Sequence, residues 1–126
     1  MSKTLKRQFG DIGETIARKY LEKNKYQIIE TNFQKPWGEI DIIASRKKDI
    51  IFIEVKTKSS GIGDKYGLPE EEVSWWKQQK IIRTANMYLT EKDYPEDINW
   101  QIDVISIFLD WKTRKARIKH FKNAVY

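Results

Sequence analysis

Residues 37 to 58, WGEIDIIASRKKDIIFIEVKTK, hold two runs rich in Ile, Val and Phe on either side of Arg46-Lys47-Lys48-Asp49. Runs of β-branched and aromatic residues parted by a short polar turn predict a β-hairpin. With the turn centred between Lys47 and Lys48, Ile40 faces Val55, Ile42 faces Ile53 and Ala44 faces Ile51, a wholly apolar face. The other face brings Ile43 to Phe52, Asp41 to Glu54 and Glu39 to Lys56. A slip of one residue would set Asp41 and Glu54 against apolar side chains, so the pattern favours this register.

The register creates an awkward pair. Carboxylates directly opposite each other have Cβ atoms roughly 5 Å apart, and like charges there destabilise a sheet. A shared proton, a salt bridge or a divalent cation would offset the repulsion. Mg²⁺ or Mn²⁺ suits a site with few oxygen ligands, because such ions keep several waters of their own. Lys56 follows Glu54 by two residues and projects on the same face. The bland alternative is a solvated face on which Glu39, Asp41, Glu54 and Lys56 form surface ion pairs of small worth. The apolar neighbours Ile43 and Phe52 favour a functional site.

Around the hairpin the chain alternates between helical and extended patterns. Thr4 to Asn24 predicts a helix capped by Thr4, with Leu5, Phe9, Ile12, Ile16, Ala17, Tyr20 and Leu21 on one half. Gly10 and Gly13 fall within that apolar arc, where a missing side chain lets a helix lie close to a sheet. Glu14 lies at the edge of the arc, turned to solvent if judged on position alone. Tyr26 to Asn32 predicts a strand, and Phe33 to Pro36 its connection to the hairpin. Ser59 to Leu68 predicts a flap-like loop, whose glycines lack the following Lys-Ser or Lys-Thr of a phosphate-binding loop. Pro69 opens a second helix to about Thr90, with Val73, Ile81, Ile82, Ala85, Tyr88 and Leu89 on its apolar side. Lys77 and Gln78 share that side, either snorkelling outward or aimed at a site. Asn99 to Leu109 and Lys115 to Phe121 predict the last two strands. Asp103, among apolar neighbours, is either a further polar group near the site or a structural hydrogen-bond partner. His120, the single histidine, reads as structural, and Trp75, Trp76, Trp100 and Trp111 read as core and rim packing. The order α-β-β-β-α-β-β predicts an α/β fold in the α+β range, one mixed sheet flanked by helices.

At 126 residues the chain suits one domain, residues 1–126. Lys and Arg number 24 against 18 Asp and Glu, a net charge of +6 that favours a polyanionic partner. Without cysteine, disulfides, thiolate metal sites and cysteine nucleophiles are excluded. No apolar run reaches the length of a membrane span, and the first residues lack a signal peptide's apolar core. The expectation is a cytoplasmic protein with no membrane partner.

Asp41 followed by Glu54-Val55-Lys56 resembles the D-x(n)-(D/E)-x-K signature of the PD-(D/E)xK nuclease superfamily. The wider set of Gly10, Gly13-Glu14, Ala17, Tyr20-Leu21, Asn32, Gly38-Glu39-Ile40-Asp41, Phe52 to Thr57, Lys77, Ala85, Tyr88-Leu89 and Asp103-Val104 resembles the YraN-like family. That bacterial family has an endonuclease-like fold similar to archaeal Holliday-junction resolvases. The resemblance spans about Phe9 to Ala124 and implies a restriction-endonuclease-like architecture. It implies Asp41 and Glu54 as metal ligands, the Val55 carbonyl as a third oxygen, and Glu14 as a ligand or water-orienting group. Lys56 becomes the catalytic lysine, and Lys77 or Gln78 the contact from the second helix. Gln34 and Gln101 depart from the family's basic residues at those positions, which weakens the basic surface rather than the metal site.

The resulting expectation is an Mg²⁺- or Mn²⁺-dependent endonuclease acting on DNA, including branched or structured DNA. Asp41, Glu54 and Lys56 would be catalytic. Lys35, Lys58, Lys65, Lys77, Lys80 and Arg83 would hold backbone phosphates without reading sequence, with Gln78 a further substrate contact. The rivals are a non-catalytic nucleic-acid-binding module that keeps the fold and an adaptor of a DNA-processing complex anchored by its tryptophans. A homo-oligomer is compatible with either.

Overall fold

A computed structural model describes residues 5–60 and 74–125. The elements are α1 (Leu5–Lys23), β1 (Gln27–Lys35), β2 (Gly38–Arg46), β3 (Asp49–Ser60), α2 (Trp75–Glu91), β4 (Trp100–Asp110) and β5 (Lys115–Val125). They form one mixed sheet in the order β1-β2-β3-β4-β5, antiparallel except between β3 and β4. That parallel pair requires a crossover connection, and α2 lies within it. The α-β-β-β-α-β-β order and the mixed α/β class expected from the pattern are therefore present.

Each face of the sheet carries a helix. Ala17 and Leu21 of α1 pack with Ile42, Ala44, Ile51, Ile53, Ile105 and Ile107. Ile81, Ala85, Tyr88 and Leu89 of α2 pack on the other face with Ile43, Ile50, Phe52, Ile102 and Val104. Coverage of both faces explains β4, in which every residue from Ile102 to Leu109 is buried. A strand with both faces covered reads as a continuous apolar run rather than an alternating one. Asp103 and Ser106 are the polar exceptions.

Several boundaries move. β1 extends to Lys35, so Phe33 to Lys35 belong to a strand and Pro36-Trp37 alone form the turn into β2. Ser59 and Ser60 continue β3 rather than opening a loop, because β3 pairs with β4 as far as Ser60–Asp110. α2 is described from Trp75, with Ser74 as its N-cap accepting a hydrogen bond from the Lys77 N–H, 3.2 Å. The Thr4 cap, Pro69, Val73 and the remainder of the expected flap lie outside the described residues. β5 reaches Val125, four residues beyond the pattern.

The hairpin register holds where the strands pair. Ile42–Ile53, Ile43–Phe52, Ala44–Ile51 and Arg46–Asp49 are partners about a Lys47-Lys48 turn, with Lys47 at φ 57°. Beyond Ile42–Ile53 the ladder ends. Ile40 departs from the expected face and joins Ile43 in the α2-side core. Opposite this point on β1, Asn32 has φ 53°, a left-handed turn of the backbone that breaks the simple alternation.

One glycine brings α1 against the sheet. A Cβ on Gly13 would lie 1.8 Å from Thr57 Oγ1 and 2.9 Å from both Thr57 Cβ and Cγ2. A Cβ on Gly10 would meet nothing within 4 Å, so only Gly13 serves the close approach expected of both. Gly13→Ala is therefore expected to destabilise by about 1–3 kcal/mol through overpacking against a stiff β-branched side chain. Gly10→Ala should instead gain up to ~1 kcal/mol of helix propensity. Equal melting temperatures for the two variants would contradict this seating of α1.

Candidate functional site

The ladder ends at Ile42–Ile53 because a side chain takes the place of a backbone partner. The Val55 N–H donates to Asp41 Oδ2 at 2.8 Å. In an extended strand the N–H and C=O of one residue point to the same neighbour, so the Val55 carbonyl faces the same gap. Asp41 and Glu54 are 7% and 8% exposed, although both are ionisable. They border a cleft of about 410 Å³ together with Glu14, Glu39, Val55 and Thr57. Glu14 reaches it from α1, so the glutamate that position alone would turn to solvent belongs to the cleft. Arg7, Phe9 and Gly10 complete its α1 wall.

Burial, and then the charge of Glu54, push the Asp41 carboxyl up to about 8, against the lowering effect of the Val55 N–H. Glu14 is also raised, first by burial and then by Asp11 and Glu39, while Arg7 and a hydrogen bond from Asn32 work the other way. The cleft is short of positive charge at its Asp41 end.

At the Glu54 end the charge is supplied. Lys77 Nζ lies 3.0 Å and Lys56 Nζ 3.6 Å from Glu54 Oε1. Burial and the adjacent Lys77 lower the pKa of Lys56, with Glu54 opposing them. Burial disfavours the charge on Lys77 as well, but Glu54 and Lys56 outweigh it and its pKa ends raised.

Among the described residues, no three acidic or imidazole side chains converge closely enough to cage a metal ion. The donor set still fits Mg²⁺ or Mn²⁺ held by few protein oxygens and its own waters. Two buried carboxylates and a strand carbonyl face one gap, and the burial and mutual charge that raise Asp41 are what a cation there would relieve. The expected Glu39–Lys56 pair is not formed. Glu39 is exposed and accepts from Gln34 Nε2 at 3.2 Å.

The expected phosphate-binding residues separate. Lys80 joins Trp37, Gly38, Trp76 and Lys77 around a second cleft of about 370 Å³, whose floor shares Glu39 and Glu54 with the first. Arg83 stacks on the Trp37 ring, its Cζ 3.9 Å from the centroid. Lys35 pairs with Glu91 at the far end of α2. Lys58 is half-buried further along β3, and Gln78 is half-buried on α2 outside both cleft linings. Lys65 lies outside the described residues. Trp75, Trp76 and Trp111 are 60%, 71% and 57% exposed, so core packing holds only for Trp100, which packs against Phe52, while Trp111 sits at the rim with its ring centroid 6.0 Å from that of Phe9.

Asp103 takes the structural role. It is fully buried and accepts from Gln101 Nε2 and the Asn123 N–H, both at 2.8 Å. His120 Nε2 lies 2.7 Å from its other oxygen, and His120 Nδ1 2.9 Å from the Tyr20 hydroxyl. A carboxylate only accepts, so His120 Nε2–H donates to Asp103. This chain ties α1 to β4 and β5, as expected for His120. Arg7, Trp37 and Thr57 border the clefts without the pattern having given them a role there. Only the proximity of Trp37 to Asp41 in sequence could have signalled one of them.

A model of the uncharacterised protein family UPF0102 matches residues 13–107. A UPF0102 protein of Clostridium beijerinckii is 40% identical over 122 residues, 97% of this chain and 96% of the relative. One from Caldanaerobacter subterraneus subsp. tengcongensis is 39% identical over 125 residues, 98% and 99% of the two chains. One from Clostridium botulinum is 42% identical over 118 residues, 94% of each. With the matched span covering Glu14, Asp41, Glu54, Lys56 and Lys77 alike, the chain belongs to the uncharacterised protein family UPF0102, the YraN-like family.

Proposed function

We propose that the protein is a metal-dependent nuclease that hydrolyses phosphodiester bonds in DNA. The observation that carries this reading is the burial of Asp41 and Glu54 in one cleft, with Lys56 and Lys77 against Glu54. Two acids are costly to bury together, and the fold separates two strands to keep them there.

Asp41, Glu54 and the Val55 carbonyl would hold the ion, with Glu14 at the cleft wall as a further ligand or a water-orienting group. An Mg²⁺ or Mn²⁺ ion supplies Lewis-acid polarisation of a phosphoryl oxygen and acidifies a bound water. Lys77, kept charged by Glu54, neutralises phosphate negative charge as it builds up in the transition state. Lys56, with its lowered pKa, orients the attacking water and accepts its proton more readily than an ordinary lysine. Lys80 and Arg83 approach the backbone from α2, and the net charge of +6 draws in a polyanion.

One observation favours a second reading. Lys56 and Lys77 already balance Glu54, so a binding module could keep this arrangement without an ion. Cleavage assays on linear, flapped and four-way DNA in Mg²⁺ or Mn²⁺ separate the two. The nuclease reading expects metal-dependent cleavage of at least one substrate. Binding without cleavage on all three would leave the module.

A further inference from the structure

The second cleft opens on the α2 side of Glu54. We infer that it holds an unpaired nucleobase of a single-stranded DNA segment, stacked on Trp76, with the adjoining phosphate on Lys80. This assignment rests on the nuclease reading of the neighbouring acidic cleft, whose substrate class it narrows.

Position is the first argument. Glu39 and Glu54 border both clefts, so a strand with one phosphate beside Asp41 runs its neighbouring nucleotide into the second. Size agrees: about 370 Å³ lies within the usual range of small-ligand sites. Chemistry is the third argument. Trp37 is held by the Arg83 guanidinium on its ring face. Trp76 is 71% exposed and set edge-on to Trp75 with ring centroids 4.7 Å apart, leaving indole surface available at the cleft. Aromatic faces interleaved with basic side chains are the means by which single strands are held without sequence preference. Duplex bases have both faces covered by neighbouring pairs and cannot stack on a side chain without being unstacked. A protein partner would also value exposed tryptophans, but continuity with the acidic cleft points to the strand whose phosphate occupies it.

The test uses the full chain and a 15-nucleotide oligothymidylate, with a duplex of the same length for comparison. Quenching of tryptophan fluorescence gives the affinities in chelator, so that binding is read apart from cleavage. Trp76→Ala is expected to weaken oligothymidylate binding about tenfold or more, the scale of one lost base–aromatic stack. Trp76→Phe should recover most of the loss, and duplex affinity should change less than twofold. Lys80→Ala should lower the salt dependence of oligothymidylate binding. An unchanged oligothymidylate affinity in Trp76→Ala, or an equal loss for duplex, overturns the assignment even if the protein cleaves DNA. Trp76-dependent binding with no cleavage in Mg²⁺ or Mn²⁺ supports the assignment and removes the nuclease reading instead. Failure of the wild type to bind oligothymidylate at low salt overturns the assignment too.

Discussion

Glu54→Gln is expected to abolish cleavage while leaving DNA affinity equal to or tighter than that of the wild type. The substitution keeps the side chain's shape and removes one negative charge from the cleft. It takes away a ligand for the cation and frees Lys56 and Lys77, which lie 3.6 Å and 3.0 Å from Glu54 Oε1. Two ammonium groups released toward a phosphate strengthen ground-state binding. Lys56→Ala is expected to cost about a hundredfold or more in rate, the scale of losing a group that orients and deprotonates the attacking water. Metal affinity should survive it, because lysine is not a ligand. Lys77 is retained in that variant, so a smaller loss would mean that the two lysines substitute for each other. Single-turnover rates and filter binding, measured on the same preparations, give both quantities. Cleavage that persists undiminished in both variants would falsify the site.

The second large effect is on stability. The Asp41 carboxyl is raised from 3.8 to about 8 in the folded protein, chiefly by burial and then by Glu54. A raised acid pKa means that the folded state holds its proton more tightly than the unfolded chain. That contribution is complete below the unfolded pKa and is lost as pH rises through the folded one. In chelator, the wild type should therefore lose on the order of 3–4 kcal/mol between pH 5 and pH 8. For a chain of this length that is a fall of about 13 °C in melting temperature. Glu14, also raised, adds in the same direction. Asp41→Asn retains an oxygen to accept from the Val55 N–H and carries no charge, so its melting temperature should fall far less over that range, the remaining slope coming from Glu14. At pH 8 in chelator it should exceed the wild type. Mg²⁺ or Mn²⁺ should raise the wild type at pH 8 and barely move the variant. Parallel pH profiles for the two proteins would show that Asp41 is not the group under strain.

The elements of the fold were legible because each carries its own period. The isoleucine-rich hairpin specifies its register through alternation, and Ile42–Ile53, Ile43–Phe52 and Ala44–Ile51 pair as the pattern requires. The two helices announce the faces they bury through spacing, with Ala17 and Leu21 on one and Ile81, Ala85 and Tyr88 on the other. Strand ends were less legible. β1, β3 and β5 all run further than their apolar patterns, because backbone pairing with a neighbour extends a strand through polar residues.

Asp41 and Glu54 came together in the sequence through register arithmetic, yet the structure joins them differently. They do not face each other across a continuous ladder. Asp41 spends an oxygen on the Val55 N–H, the ladder stops, and Ile40 crosses to the other core. Alternation assumes two strands that stay paired, so it cannot foresee the point where they part.

The sequence by itself determined the α-β-β-β-α-β-β order, the core of the hairpin and the candidacy of the acid pair and its lysine, because these are short-range consequences of spacing and side-chain type. The tertiary structure decided which distant groups complete the site. It brought Glu14 from α1 into the acidic cleft and Lys77 from α2 onto Glu54. It sent Asp103 into a buried link with His120 and Tyr20, away from that role. It also placed Trp76 and Trp37 around a second cleft bordering the same glutamate. Those outcomes depend on how two helices sit on opposite faces of one sheet, and packing geometry of that kind has no period in the chain to reveal it.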